Sequence, residues 1–68
     1  MILDKKDKLI VERLQRNGRI SMSDLAQEVN LSDTPCLRRV KKLEQAGVIE
    51  GYQATLNRQA FNLNVLVY

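Results

Sequence analysis

The sequence predicts a mainly α fold, three short helices followed by brief β segments, and three observations carry that expectation. Asp4, Ser21 and Ser32 each stand just before an apolar stripe at helical spacing, where a side-chain oxygen can cap a helix N-terminus. Gly18, Asn30 and Gly47 stand just behind those stripes, and these residue types tolerate the left-handed turn that ends a helix. Beyond Gly47 the spacing of three and four gives way to β-branched and aromatic residues around Gly51. At 68 residues, with 44% hydrophobic and 28% charged, the chain has room for one domain with one modest core.

The first helix is expected over residues 5–16. Asp4 caps it, Asp7 suits the positive end of its dipole, and Leu9, Ile10 and Leu14 form its apolar stripe. Gly18, after Asn17, is expected to supply a left-handed stop. In the second segment Ser21 and Asp24 have the spacing of a capping box, with Ile20 and Leu25 placed as a hydrophobic staple. Leu25, Ala26 and Val29 give this helix of about two turns its buried side, and Asn30 ends it. Ser32 then caps a third helix running to about Ala46, with Gly47 behind it. Pro35 falls in the first turn, where a missing N–H loses no intrahelical bond.

A short helix, a turn of three or four residues centred on `NLS`, and a longer helix make the helix-turn-helix pattern, here about Met22 to Lys41 and winged-helix-like in its β continuation. At about 100° per residue, Cys36, Val40, Leu43 and Gly47 share one narrow sector of the third helix, which is its core side. Thr34, Arg38, Lys41 and Gln45 fall opposite, with Lys42 beside them and Leu37 and Arg39 on the flanks. In a helix-turn-helix that outward side faces the DNA major groove. Ser32, Thr34 and Arg38 are then candidates for base edges or adjacent phosphates, and Lys41, Lys42 and Arg39 for flanking phosphates. Pro35 and Leu37 are placed to touch a thymine methyl or the sugar wall.

Blander roles stand beside these. Arg39 on its flank can equally pair with a carboxylate near the core, and Glu44 lies at the spacing for an ion pair with Lys41. Cys36 reads as a small buried hydrophobe. Lys5, Lys6 and Lys8 read as a solvated helix face, with a phosphate contact as the alternative. The pattern also occurs in modules that dock only proteins, so a protein-interaction or assembly unit is the rival to DNA binding.

Composition narrows the classes further. The net charge of +3 favours an anionic partner. The chain has no histidine and one cysteine, so neither a nucleophile-and-base pair nor the usual zinc ligands can be assembled, and no enzyme, metal or cofactor is expected. One cysteine makes no internal disulfide, and neither an apolar leader nor a membrane-length apolar run is present. The expected setting is cytoplasmic, without a membrane. `VIEGYQATLN` reads as one or two short strands, residues 57–64 as a loop, and `LNVLVY` as a further strand that nothing later in the chain covers.

Three segments, `GRIS`, `LSDTPCLRRVKKLE` and `GVIEGYQATLN`, resemble the N-terminal domain of the Lrp/AsnC (leucine-responsive, feast/famine) transcriptional regulators in order and spacing. The likeness runs from Leu3 to the end of the chain. It implies a regulator that binds double-stranded DNA as a homodimer or higher oligomer, with residues 32–42 on the recognition helix. It divides the chain into a helix-turn-helix domain at 1–50, a hinge strand and loop at 51–61, and at 62–68 the start of a C-terminal α/β effector and oligomerisation domain. An amino-acid effector is expected only with that further domain. Two departures stand out: Asn30 replaces a common glycine, and Asp33 replaces a frequent proline, adding a negative charge that suits the helix dipole but repels phosphate.

Overall fold

Capping chemistry sets the helix boundaries. In the computed structural model, which describes residues 2–57 and 59, α1 spans Lys5–Arg16, α2 Met22–Glu28 and α3 Asp33–Gln45. Asp4 accepts the Asp7 backbone N–H at 2.8 Å, and the Asp7 carboxylate takes the Asp4 N–H at 3.4 Å, which closes a reciprocal capping box. Ser21 caps α2 from one side only, accepting the Asp24 N–H at 3.0 Å. Ser32 occupies the N-cap of α3 without a side-chain bond.

The three helices do not end alike. Asn30 has φ 58°; its N–H reaches the Gln27 carbonyl at 3.3 Å, and the Leu31 N–H reaches back to Ala26 at 2.9 Å. Gly47, at φ 78°, repeats the pattern: its N–H bonds Glu44 at 3.1 Å and the Val48 N–H bonds Leu43 at 3.0 Å. Both are Schellman stops, which satisfy carbonyls the last helical turn leaves without partners. The left-handed stop expected at Gly18 is not made. The chain instead leaves α1 through Asn17 in an extended conformation (φ −148°, ψ 94°). The Asn17 side chain accepts the Arg19 N–H at 3.0 Å and its carbonyl accepts the Ile20 N–H at 3.2 Å. Asparagine shapes that turn with its own side chain, so glycine's freedom is not called upon.

One core joins the helices. Ile10 from α1, Leu25 and Ala26 from α2, Val29 behind it, and Cys36, Val40 and Leu43 from α3 are all buried. Leu9 and Leu14, expected inside, pack half-buried around its edge together with Ile20 and Ile49. Polar ties then cross every helix pair. Arg13 Nε meets Glu28 at 3.0 Å and the Lys6 ammonium donates to the Val29 carbonyl, tying α1 to α2 and its end. The Ser23 hydroxyl meets Asp33 Oδ2 at 3.1 Å between α2 and α3, and Arg39 joins α3 to Asp4 and Asp7 at the start of α1.

Two expectations change here. Glu44 does not pair with Lys41; it accepts the Tyr52 hydroxyl at 2.8 Å. Beyond the Gly47 turn Tyr52 comes within reach of the end of α3, and a rigid phenol loses less side-chain entropy in that bond than a long lysine would. The strands expected over 48–57 are also not formed: residues 51–57 are exposed and lie in no strand. β-branched residues favour a strand only where a second segment supplies the ladder. `LNVLVY` lies outside the described residues. No described helix is long and apolar enough to cross a membrane.

Leu43→Ala should cost about 2–5 kcal/mol, because Leu43 is fully buried and its cavity can collapse only partly. A domain of this size holds only about 3–10 kcal/mol in total, so urea melts should show a large drop in midpoint. The Cys36 thiol is pushed above its ordinary range, chiefly by burial and then by Asp33. A thiol alkylator should therefore label it only as urea unfolds the chain, tracking the circular-dichroism transition.

Candidate nucleic-acid interface

Burial of one side of α3 decides what the other side presents. With Cys36, Val40 and Leu43 turned into the core, Thr34, Arg38, Lys41, Lys42 and Gln45 are exposed on the outward side. Ser32 and Pro35 are exposed at the start of the helix, and Leu37 is 40% exposed on one flank. Among the described residues, Arg38, Lys41 and Lys42 join no ion pair. Seven of the eight residues the sequence nominates thus share one accessible surface, and three of them are free cations.

Arg39 is the eighth, and its charge is directed inward. One guanidinium nitrogen donates to both Asp4 oxygens, at 2.9 and 2.8 Å, and to Asp7 Oδ1 at 3.1 Å. The box that caps α1 therefore also holds α3. Asp7 is the one charged side chain buried among the described residues. The hydrogen bond from Arg39, followed by the Asp7 backbone N–H, holds the Asp4 carboxyl below its ordinary value of 3.8. The sequence offered Asp7 as a dipole partner, but its second role depends on a contact 32 residues away.

Asp33 does not stand alone either. Its carboxylate takes the Ser23 hydroxyl from the first turn of α2, a bond with no local sequence signal. On the far side of the core, Val11, Leu14, Val48, Ile49 and Tyr52 line a shallow groove. Partial burial and the bond to Glu44 push the Tyr52 phenol up to about 12.

This geometry can be set beside known proteins. Residues 3–50 match the winged helix-turn-helix DNA-binding family. The leucine-responsive regulatory protein of Haemophilus influenzae is 54% identical over 65 residues, covering 96% of this chain and 39% of that protein. The chain belongs to the Lrp/AsnC family. An AsnC-family transcriptional regulator from Agrobacterium tumefaciens superposes with a TM-score of 0.85 at 40% identity, over 88% of this chain and 39% of that one. A transcriptional regulator from Neisseria meningitidis, solved as its L-Met complex, gives 0.88 at 46% identity, over 93% and 41%. The chain spans about two fifths of the length of these relatives. Residues 3–50 are the part of the chain that carries the winged helix-turn-helix DNA-binding match.

The clamp between α1 and α3 has a signature in acid. Because Asp4 titrates below 3.8 when folded, its contribution to stability is present above about pH 4. That contribution is lost as pH falls through the depressed value. Urea melts of wild type and Arg39→Gln should therefore differ most near neutrality and converge below pH 4.

Proposed function

We propose that this domain binds duplex DNA sequence-specifically, with α3 in the major groove. The observation that carries the reading is the set of unpaired cations, Arg38, Lys41 and Lys42, on the side of α3 opposite Cys36, Val40 and Leu43. Arg38 offers a two-pronged donor suited to guanine O6 and N7. Ser32 and Thr34 reach base edges or phosphates near the helix start, and Pro35 and Leu37 provide apolar contact with a thymine methyl or sugar. Lys41 and Lys42 neutralise flanking phosphates, a contact that strengthens binding without reading sequence. Asp33 repels phosphate and so disfavours registers that bring the backbone against the first turn.

The finer organisation follows the family. Residues 1–50 form the DNA-binding unit, 51–61 a hinge, and 62–68 open an α/β effector and oligomerisation domain that responds to an amino acid in the whole regulator. Two copies related by a two-fold axis present their recognition helices about 34 Å apart, one turn of DNA. The hinge segment supplies contacts between the copies, and the setting is the cytoplasm. Sedimentation that finds a folded monomer at high concentration would remove the pairing from this chain.

Sequences selected from a random duplex pool, then titrated by fluorescence polarisation at several salt concentrations, test the reading. Log affinity should fall with log salt by about 0.9 for each phosphate neutralised. Arg38→Ala should weaken the selected site by about 1–3 kcal/mol and leave random duplex little changed. Lys42→Ala should weaken both alike and flatten the salt slope by about 0.9. No binding at low salt would sink the proposal.

A further inference from the structure

Of the four cations on α3, one is committed inside the molecule. Arg39 satisfies Asp4 and Asp7, while Arg38 and Lys42 make no ion pair among the described residues. Yet all five side chains line one shallow groove at the junction of α1 and α3. The two carboxylates are fixed there. Each is held in the reciprocal box with the other's backbone N–H, so neither can swing to solvent without uncapping α1. The Asp7 side chain is only 8% exposed, and a carboxylate so placed strongly favours a nearby cation.

Without Arg39, the cations left in the groove with the two carboxylates are Arg38 and Lys42. A tethered carboxylate in the same groove competes with DNA phosphate at a high effective concentration. Resting on the DNA-binding reading above, we propose that Arg39 is a positioning residue: by occupying Asp4 and Asp7 it keeps Arg38 and Lys42 free for DNA. Arg39 suits the task because one of its guanidinium nitrogens reaches both Asp4 oxygens and Asp7 Oδ1 at once. It touches no phosphate itself, and its influence on DNA passes through the charges beside it.

A four-member cycle in the full 68-residue chain tests this: wild type, R39Q, D4N/D7N and the triple variant D4N/D7N/R39Q. Each is checked for folding by circular dichroism and titrated against the selected duplex over a salt series. In R39Q the salt slope should flatten by about 0.9, the loss of the Lys42 phosphate contact, and the preference for selected over random duplex should narrow as Arg38 is drawn off its base. In the triple variant it should return to the D4N/D7N value, because no carboxylate remains to capture Arg38 and Lys42. Loss of slope in R39Q that the triple variant fails to restore would make Arg39 a direct phosphate contact and overturn the proposal. An unchanged slope in folded R39Q would reduce Arg39 to a stability role and overturn it equally. If R39Q does not fold, D4N/D7N against the triple variant decides: equal slopes support the proposal, and a drop of about 0.9 overturns it. Failure of the wild type to bind DNA would instead count against the DNA-binding reading itself.

Discussion

Burial of the Cys36, Val40 and Leu43 stripe is the constraint from which the rest follows. A 13-residue helix packed on two neighbours through one narrow sector has no freedom in what its opposite side displays. Thr34, Arg38, Lys41 and Gln45 face out because their helical phase is set by residues that never meet a ligand. Rotating α3 by one residue would bring Leu37 or Arg39 toward the core and move the cations off their common surface. Core packing and the recognition surface are therefore two readings of one register.

A small core leaves the angles between helices weakly determined by apolar contact alone. The polar ties supply what it lacks. Arg13–Glu28, Ser23–Asp33 and the Arg39 clamp join α1 to α2, α2 to α3 and α3 to α1. Most of these groups are partly solvated, and such pairs add little to net stability. Their value is directional: each is satisfied at only a narrow range of approach. The clamp differs from the other two because it involves a buried carboxylate, so disrupting it leaves an unpaired charge as well as losing a bond.

What the sequence made legible was whatever short-range chemistry controls. Asp4, Ser21, Asn30 and Gly47 act over three to six residues, and helix boundaries and core phase could be read from them directly. Gly18 misled because a neighbouring asparagine performs the turn with its own side chain, and residue type alone does not say which of two candidates will. The site divides along the same line. Outward placement of Arg38, Lys41 and Lys42 follows from helical phase, whereas the commitment of Arg39 needs Asp4 and Asp7 brought across more than 30 residues. One flank of a helix could be foreseen as ambiguous, but not resolved.

Residues 51–57 form no strand for a related reason, and the contrast with the helices is instructive. A helix closes its backbone hydrogen bonds within itself, and both Schellman stops complete that closure at its end. A strand borrows its partners from elsewhere, so residues 51–57 can carry β-forming side chains and still form no strand among the described residues. Tyr52 shows how such a segment is held meanwhile: one bond to Glu44 fastens it to the end of α3. The elements that position Arg38, Lys41 and Lys42 all lie between Leu3 and Ile49 and satisfy one another. The surface that these three cations present therefore does not depend on what residues 51–57 pair with.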